Sequence, residues 1–503
     1  LAGFSIAILA PQLYRITGHY ALSYSFFLPL TWYLFIRFRT SPNPWKWSIV
    51  IGLSTLFWFF THAYLGMIIF AFFMISYMFE GLFYFKQKIL SLSFWAHMFI
   101  QLILPFLFIF LYSRLGDTHT GRTTNPFGFM EVTSNFDSVF LPNQGPLLTF
   151  FKDFNSQQTW ESLSYVGMGT NIALCIFILY TLYYLIRFRR LPFNDLQINP
   201  LLLIGLISSI IVLIIACGYP FKWNPELLNG FEMVKNFRGI GRFAWACYFT
   251  ATIFAVVFIT RLFTKRSKRF LAFSPVVLLC FSFIWEGVSY HRSIAKELNL
   301  MPNYFHKNGL DNEWKATLSS IDFTKYQAIL PLPYYHIGSE NFGKESTDEM
   351  YVTSMILGYY SKLPLTANHS GRTSIWEAKN NLQFISPVFY EKELLNDIKD
   401  NRPFLVIHNG DHLLEFEQEI LNRSTLIWTN SKFKLYEITK AELFSTDASK
   451  WLNAFNNKSA QLIEKNGFLI EPKDSLALIY FNSFEDQKST IARSGDGAMA
   501  SQK

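Results

Sequence analysis

Between Ala21 and Tyr290 the chain runs through eight apolar stretches, and lysines and arginines crowd into every second connection between them. A bilayer core about 30 Å thick takes roughly 20 apolar residues per helix, and hydrocarbon offers no partner to a free backbone N–H or C=O. Stretches of this kind therefore fold as transmembrane helices. They are expected near Ala21–Ile36, Trp47–Phe60, Leu65–Phe83, Trp95–Tyr112, Met168–Ile186, Pro200–Gly218, Phe243–Ile259 and Phe270–Ser289.

The charge distribution orients them. Four short connections carry Arg37, Arg39 and Lys46; Lys86 and Lys88; Arg187, Arg189 and Arg190; and Arg261, Lys265, Arg266, Lys268 and Arg269. The other side holds Arg15, Arg114, Arg122, Lys152, Lys222, Lys235, Arg238 and Arg242, spread over much longer loops. By the positive-inside rule the first set is cytoplasmic. The Ser113–Gly167 loop, the Tyr219–Arg242 loop and everything after His291 then lie outside. The formal net charge of +8 is explained by topology, and nucleic-acid binding is not expected.

Hydrophobic residues make up 51% of the 503 residues and aromatics 18%, yet the mean hydropathy is only +0.20. The polar balance lies in the tail, which reads from Ser293 as a globular segment. Cys175, Cys217, Cys247 and Cys280 fall in or beside the expected spans, so the external part has no disulfide framework. Both ends read as cut: Leu1–Ala10 resembles the outer end of a helix, and Leu476–Phe481 with the polar turns after it resembles the opening of a β-sandwich.

Within the tail, Ala328–Pro331 and Phe404–Ile407 are short apolar runs of the kind buried strands make, and Leu426–Thr429 and Phe433–Ile438 flank a turn sequence, as in a hairpin. Glu391–Lys399 and Leu413–Leu421 have helical spacing. The expected fold is a mainly α polytopic transmembrane helical bundle over residues 1–292, an external α/β domain over 293–439, a helical linker over 440–471 and the start of a truncated β-rich module over 472–503. No dinucleotide, Walker, H-E-x-x-H or C-x-x-C pattern is present.

Polar residues cluster instead at the outer ends of helices. They stand in Arg15-Ile16-Thr17-Gly18-His19-Tyr20-Ala21-Leu22, in His62-Ala63-Tyr64-Leu65, and in Phe237-Arg238-Gly239-Ile240-Gly241-Arg242-Phe243. Continued as helix, Arg238 and Arg242 share a face at i and i+4. Guanidinium groups bind phosphate through forked hydrogen bonds, so Arg238 and Arg242 suit a lipid phosphate, with Arg15, His19 and His62 as further substrate-binding candidates. Interfacial arginines also snorkel to ordinary headgroups, and histidines in outer turns also serve as structural hydrogen-bond partners. In the long loop, Asp117, His119, Arg122, Glu131, Asp137 and Asp153 are the residues weighed for acid, base or metal-ligand roles.

In order and topology these three motifs, R-x-x-G-H-x-x-L, H-x-Y-L and F-R-x-x-G-R-F, resemble bacterial membrane proteins of the GT-C glycosyltransferase superfamily, with YfhO-like proteins the nearest. The likeness covers roughly Leu1–Arg292, and the Leu435–Ile438 segment is similar to the C-terminal part of those proteins. It implies a multi-pass protein of the bacterial cytoplasmic membrane, its C-terminal domain on the periplasmic or extracellular side. Such an enzyme moves a sugar from a polyprenyl-phosphate donor to a cell-envelope glycan or protein on the outer face. An acidic residue of the first outer loop would activate the acceptor hydroxyl or hold a divalent metal ion, and outer arginines would hold the departing phosphate. That first loop would lie before Leu1, which leaves Asp117 as a fallback catalytic residue. The sequence specifies no metal site.

Two other classes remain open. A lipid or polysaccharide transporter or flippase would carry ionisable residues at span centres, whereas Glu80, His97 and Glu286 fall near span ends. A non-catalytic anchoring or surface-assembly protein is the third class.

Overall fold

The computed structural model describes residues 1–83, 91–117, 121, 126, 128–155, 160–229, 232–264, 273–338, 343–370, 373–459, 461, 463–465, 468–470, 482–483 and 488–489. Two compact units divide the chain, one built on Leu1–Asp311 and one beginning at Asn312.

The first unit is helical. Its longer helices are α1 (Ala2–Leu9), α2 (Phe27–Thr40), α3 (Pro44–Thr61), α4 (Ala63–Phe83), α5 (Leu92–Gly116), α6 (Met168–Phe188), α7 (Pro200–Ala216), α8 (Trp245–Thr264) and α9 (Ser274–Leu300). Local sequence sets several ends. Asn43 and Asn199 cap α3 and α7 by accepting the N–H of Lys46 and Leu201, each with proline at the first helical position. Arg189 closes α6 in the left-handed region.

Four helical segments among the described residues are long and apolar enough to cross a membrane: α4, α5, α6 and the Ile240–Thr264 stretch that contains α8. Their surroundings differ. Every residue from Ile240 to Thr252 is buried, whereas α6 exposes Ile172, Leu179, Leu182 and Ile186, the last at 81%. A contiguous apolar face left open on this scale belongs against lipid or a partner, because water penalises it at about 25 cal/mol per Å².

The remaining expected spans are shorter or more polar. The expected Ala21–Ile36 helix begins only at Phe27, because Tyr20–Leu22 forms a 3₁₀ turn. The expected domain end at Arg292 falls inside α9, which continues unbroken to Leu300. Helical hydrogen bonding does not stop where the apolar run stops.

Small residues and hydroxyls set the packing. A Cβ on Gly205 of α7 would lie 2.4 Å from Cζ2 of Trp32 on α2, and one on Gly287 of α9 would meet Ile8 of α1 at 2.4 Å. Ser76 donates to Ser208 at 3.1 Å and Thr250 to Ser209 at 2.5 Å, hydroxyl contacts of the kind that join helices where water is absent. Arg39 pairs with the buried Glu80. Lys86 and Lys88, and Lys265, Arg266, Lys268 and Arg269, lie outside the described residues.

The second unit is α/β. Its main sheet has the order β1 (Ala328–Leu332), β5 (Phe404–His408), β7 (Lys434–Ile438), β6 (Thr425–Thr429), with β1 and β5 parallel and the others antiparallel. Strands β2 (His336–Ile337), β3 (Gly343–Lys344) and β4 (Asn368–His369) form a smaller sheet. The expected hairpin is β6 and β7, its turn fixed by Asn430 Oδ1 accepting the N–H groups of Lys432 and Phe433.

Two expectations fail here. Glu391–Lys399 holds only a 3₁₀ turn, Glu393–Asn396, because the Leu394 N–H is taken by Gln383 Oε1 at 2.8 Å in place of a helix carbonyl. Residues 440–471 are not a continuous helical linker: Lys440–Leu443 and Ser449–Ser459 are helical, and Ile463–Lys465 pairs with Phe468–Ile470 as a hairpin. Leu476–Phe481 lies outside the described residues.

Candidate functional site

The 3₁₀ turn Pro11–Arg15 leads into a reversal in which the Arg15 carbonyl accepts from Gly18 and His19, at 3.2 and 2.8 Å. This folds the His19 ring back over Arg15 and onto Trp160, 5.3 Å between ring centres. The Arg15 guanidinium lies 3.9 Å from the Trp160 ring centre and donates Nη2–H to the Trp160 carbonyl at 2.7 Å. Gly18 packs closely on this ring, since a Cβ there would stand 3.2 Å from the indole.

Ile240–Ala244 is a 3₁₀ turn that precedes α8. Gly241 donates its N–H to the Val132 carbonyl at 3.0 Å, and a Cβ there would be 3.1 Å from the backbone of Thr133 and Ser134. A side chain there would crowd this close crossing of backbones, where glycine fits without displacing them. The turn aims Arg242 at Glu161, with Nε on Oε2 and Nη2 on Oε1, both at 2.5 Å. The face of the same guanidinium lies 4.3 Å from the Tyr64 ring centre. Tyr64 fixes the turn as well, because its hydroxyl accepts the Gly239 N–H at 2.6 Å.

Glu161 is thus the hub. Arg242 grips both oxygens, Arg15 Nη1 stands 3.1 Å from Oε2, and His19 Nε2 stands 3.7 Å from Oε1. Arg15 is fully buried and the Glu161 side chain 19% exposed, while His19 is 49% exposed and forms the open rim. His62, in the break between α3 and α4, accepts the Tyr64 N–H on Nδ1 at 3.3 Å.

With two guanidinium groups and one carboxylate the cluster is net positive, and its titrating groups respond. Burial works to raise the Glu161 carboxyl, but the hydrogen bonds and charge of Arg242, then the charges of Arg15 and His19, outweigh it and hold it below the usual range. Burial lowers Arg15 to about 10 against the pull of Glu161. Burial, then the Arg242 charge, lowers His19, and lowers His62 to about 4. Both imidazoles are neutral at pH 7.

Forked guanidinium donors are the groups that carboxylates and phosphates pair with in general. The cluster's donor set does not suit a divalent cation. Among the described residues no group of three His, Cys, Asp or Glu side chains converges, and Glu161 is flanked by positive charge.

Arg15, His19, His62 and Arg242 are therefore brought together. Arg238 is placed differently from the expectation: Phe237–Gly239 are not helical, so the i, i+4 relation with Arg242 on one helix face is not formed, and the Arg238 Cβ lies toward Gly128 while its charge acts on Tyr64 beside the cluster. Asp117 is exposed at the C-terminal end of α5 and does not enter the cluster. Glu131 accepts the Gly128 N–H at 2.9 Å, Asp137 accepts the Ser138 N–H at 3.1 Å in a short helix, and Asp153 is exposed. His119 and Arg122 lie outside the described residues. Glu161 does not stand out in the sequence, being one acid among several in a long loop. Its signal is indirect: Trp160 beside it offers a platform to a cation.

No curated protein and no solved structure matches the chain. Residues 1–282 match the family described as a domain of unknown function, DUF6311, and that stretch contains every member of the cluster. Because the match covers more than half of the 503 residues, the chain belongs to the DUF6311 family.

Proposed function

We propose that this chain is a membrane glycosyltransferase that moves a sugar from a polyprenyl-phosphate donor to a cell-envelope acceptor on the outer face of a bacterial cytoplasmic membrane. In this reading α2 to α9 are eight crossings, with the cation-rich connections in the cytoplasm. The short α2 begins at Phe27, and the Tyr20–Phe26 turns, with Tyr20 and Phe26 exposed, lie at its outer interface. The Arg15 and Arg242 guanidinium groups hold the carrier phosphate. The acceptor oxygen attacks the anomeric carbon, the bond from that carbon to the phosphate oxygen breaks, and the phosphate leaves with the electron pair. Glu161, in place of Asp117, takes the acceptor proton. The arginines stabilise the negative charge that develops on the leaving oxygen, a term worth about 3–4 kcal/mol per well-placed donor.

The observation that carries this reading is the convergence of Arg15 and Arg242 on one largely buried carboxylate at the ends of apolar helices. The test is transfer of radiolabelled sugar from polyprenyl-phosphate donors by the purified protein in proteoliposomes. Transfer that falls at least roughly 100-fold in Arg242→Ala, with folding intact, is the expected result. Absence of transfer from every donor and acceptor tried, in protein whose thermal unfolding is cooperative, would favour the anchoring role.

A further inference from the structure

Glu161 offers two oxygens, and Arg242 takes both through a planar fork. Arg15 is left short. It makes one directed hydrogen bond, to the Trp160 carbonyl, and meets Glu161 as an ion pair at 3.1 Å outside hydrogen-bond geometry. Its Nε has no hydrogen-bond acceptor and its Nη1 only the off-angle ion pair with Glu161, although the side chain is fully buried. Buried guanidinium donors without acceptors are costly, and a two-oxygen carboxylate cannot complete both forks at once. A phosphoryl group can, because it presents more oxygens in a tetrahedral array. The half-exposed His19 is the solvent-facing member of the cluster.

We infer that the Glu161 carboxylate is a resident stand-in for a phosphoryl ligand: a phosphoryl oxyanion entering past His19 displaces it from Arg242 and Arg15, and the released carboxylate is then free to accept a proton. This rests on the phosphate-site reading above and adds a gate to it. The general base is tied up while the site is empty of phosphate and is released by the donor phosphate, so that it is free for the acceptor that follows. An acceptor that arrives first meets no free base, so order of binding follows from the ion pair itself.

Self-occupation lowers apparent affinity in proportion to the fraction of time that the arginines are free. Removing the competitor must therefore tighten binding. The experiment is equilibrium binding of two probes, inorganic phosphate and a polyprenyl monophosphate, to the full chain in nanodiscs, comparing wild type, Glu161→Gln and Arg242→Gln. The expected result is that Glu161→Gln binds roughly tenfold or more tightly than wild type, while Arg242→Gln loses binding. A Glu161→Gln protein that keeps its cooperative unfolding but binds no more tightly than wild type overturns the exchange and leaves the phosphate site standing. If neither probe binds wild type or Glu161→Gln, both the exchange and the phosphate site fall.

The two probes separate the sources. Equal gains for both mean that soluble phosphate suffices, and a gain for the polyprenyl probe alone identifies the lipid carrier. Should Glu161→Gln not fold, Glu161→Asp carries the same comparison, because its shorter arm keeps the charge and breaks the fork. Tighter binding than wild type supports the exchange, and equal or weaker binding overturns it.

Discussion

A proton on His62 would face the Arg242 guanidinium inside a desolvated turn, which is why this imidazole is held down to about 4. The unfolded chain binds that proton near the ordinary value of about 6.5. Stability is therefore fully present above about pH 6.5 and is lost as the pH falls toward about 4, since over that window the unfolded state binds more protons. His62 is partly open to solvent, so the loss is about 1–3 kcal/mol, and His19 adds to it in the same direction. Thermal unfolding of the purified protein between pH 7 and pH 4 should show this slope, and His62→Asn, which keeps an acceptor for the Tyr64 N–H, should flatten part of it. An unchanged slope in the variant would remove His62 from the account. At this scale the sequence is informative about Arg15, His19, His62 and Arg242, because each is a polar residue in a turn between apolar runs. It is silent about Glu161, which is separated from Arg15 by 146 positions and has no spacing relation to it.

Between elements, the closest approaches are made by glycines. Gly205 lets α7 reach the indole of Trp32 on α2, where an added methyl would stand 2.4 Å from Cζ2. Trp32 is buried and also packs on Phe72 of α4, 5.9 Å between ring centres, so it has no free direction in which to retreat. Gly205→Ala should therefore destabilise the unit by about 1–3 kcal/mol, the usual range for overpacking, although alanine favours helix more than glycine does. Pairing it with Trp32→Phe should recover part of the loss in a double-mutant cycle of thermal unfolding. Additive losses would mean that the two helices do not meet there. The helices themselves were legible from apolar length, and the hairpin of β6 and β7 from its turn residues. Helix ends were less so. The Tyr20–Leu22 turn and the continuation of α9 to Leu300 were not marked by a change in the apolar pattern.

For the molecule as a whole, the proposed orientation rests on where the cations lie. Trp223, 78% exposed, stands in the loop assigned to the outside, and Arg190, 65% exposed on its side chain, in a connection assigned to the cytoplasm. In a background lacking the exposed Cys175, a membrane-impermeant maleimide applied to intact cells should label Trp223→Cys and spare Arg190→Cys. The reverse pattern would invert the topology and place the arginine cluster on the wrong face for an outer-leaflet donor. Apolar run length and backbone self-satisfaction are local properties, so the sequence by itself determined that helices form, roughly where, and that an α/β unit follows them. Which turns meet is decided by packing. The pairing of Glu161 with Arg15 and Arg242 and the half-open rim at His19 arise only once the Pro11–His19 turns, α3, α4, α8 and the long loop are in place. A charge pair is set by distance in space, and distance along the chain carries almost no record of it.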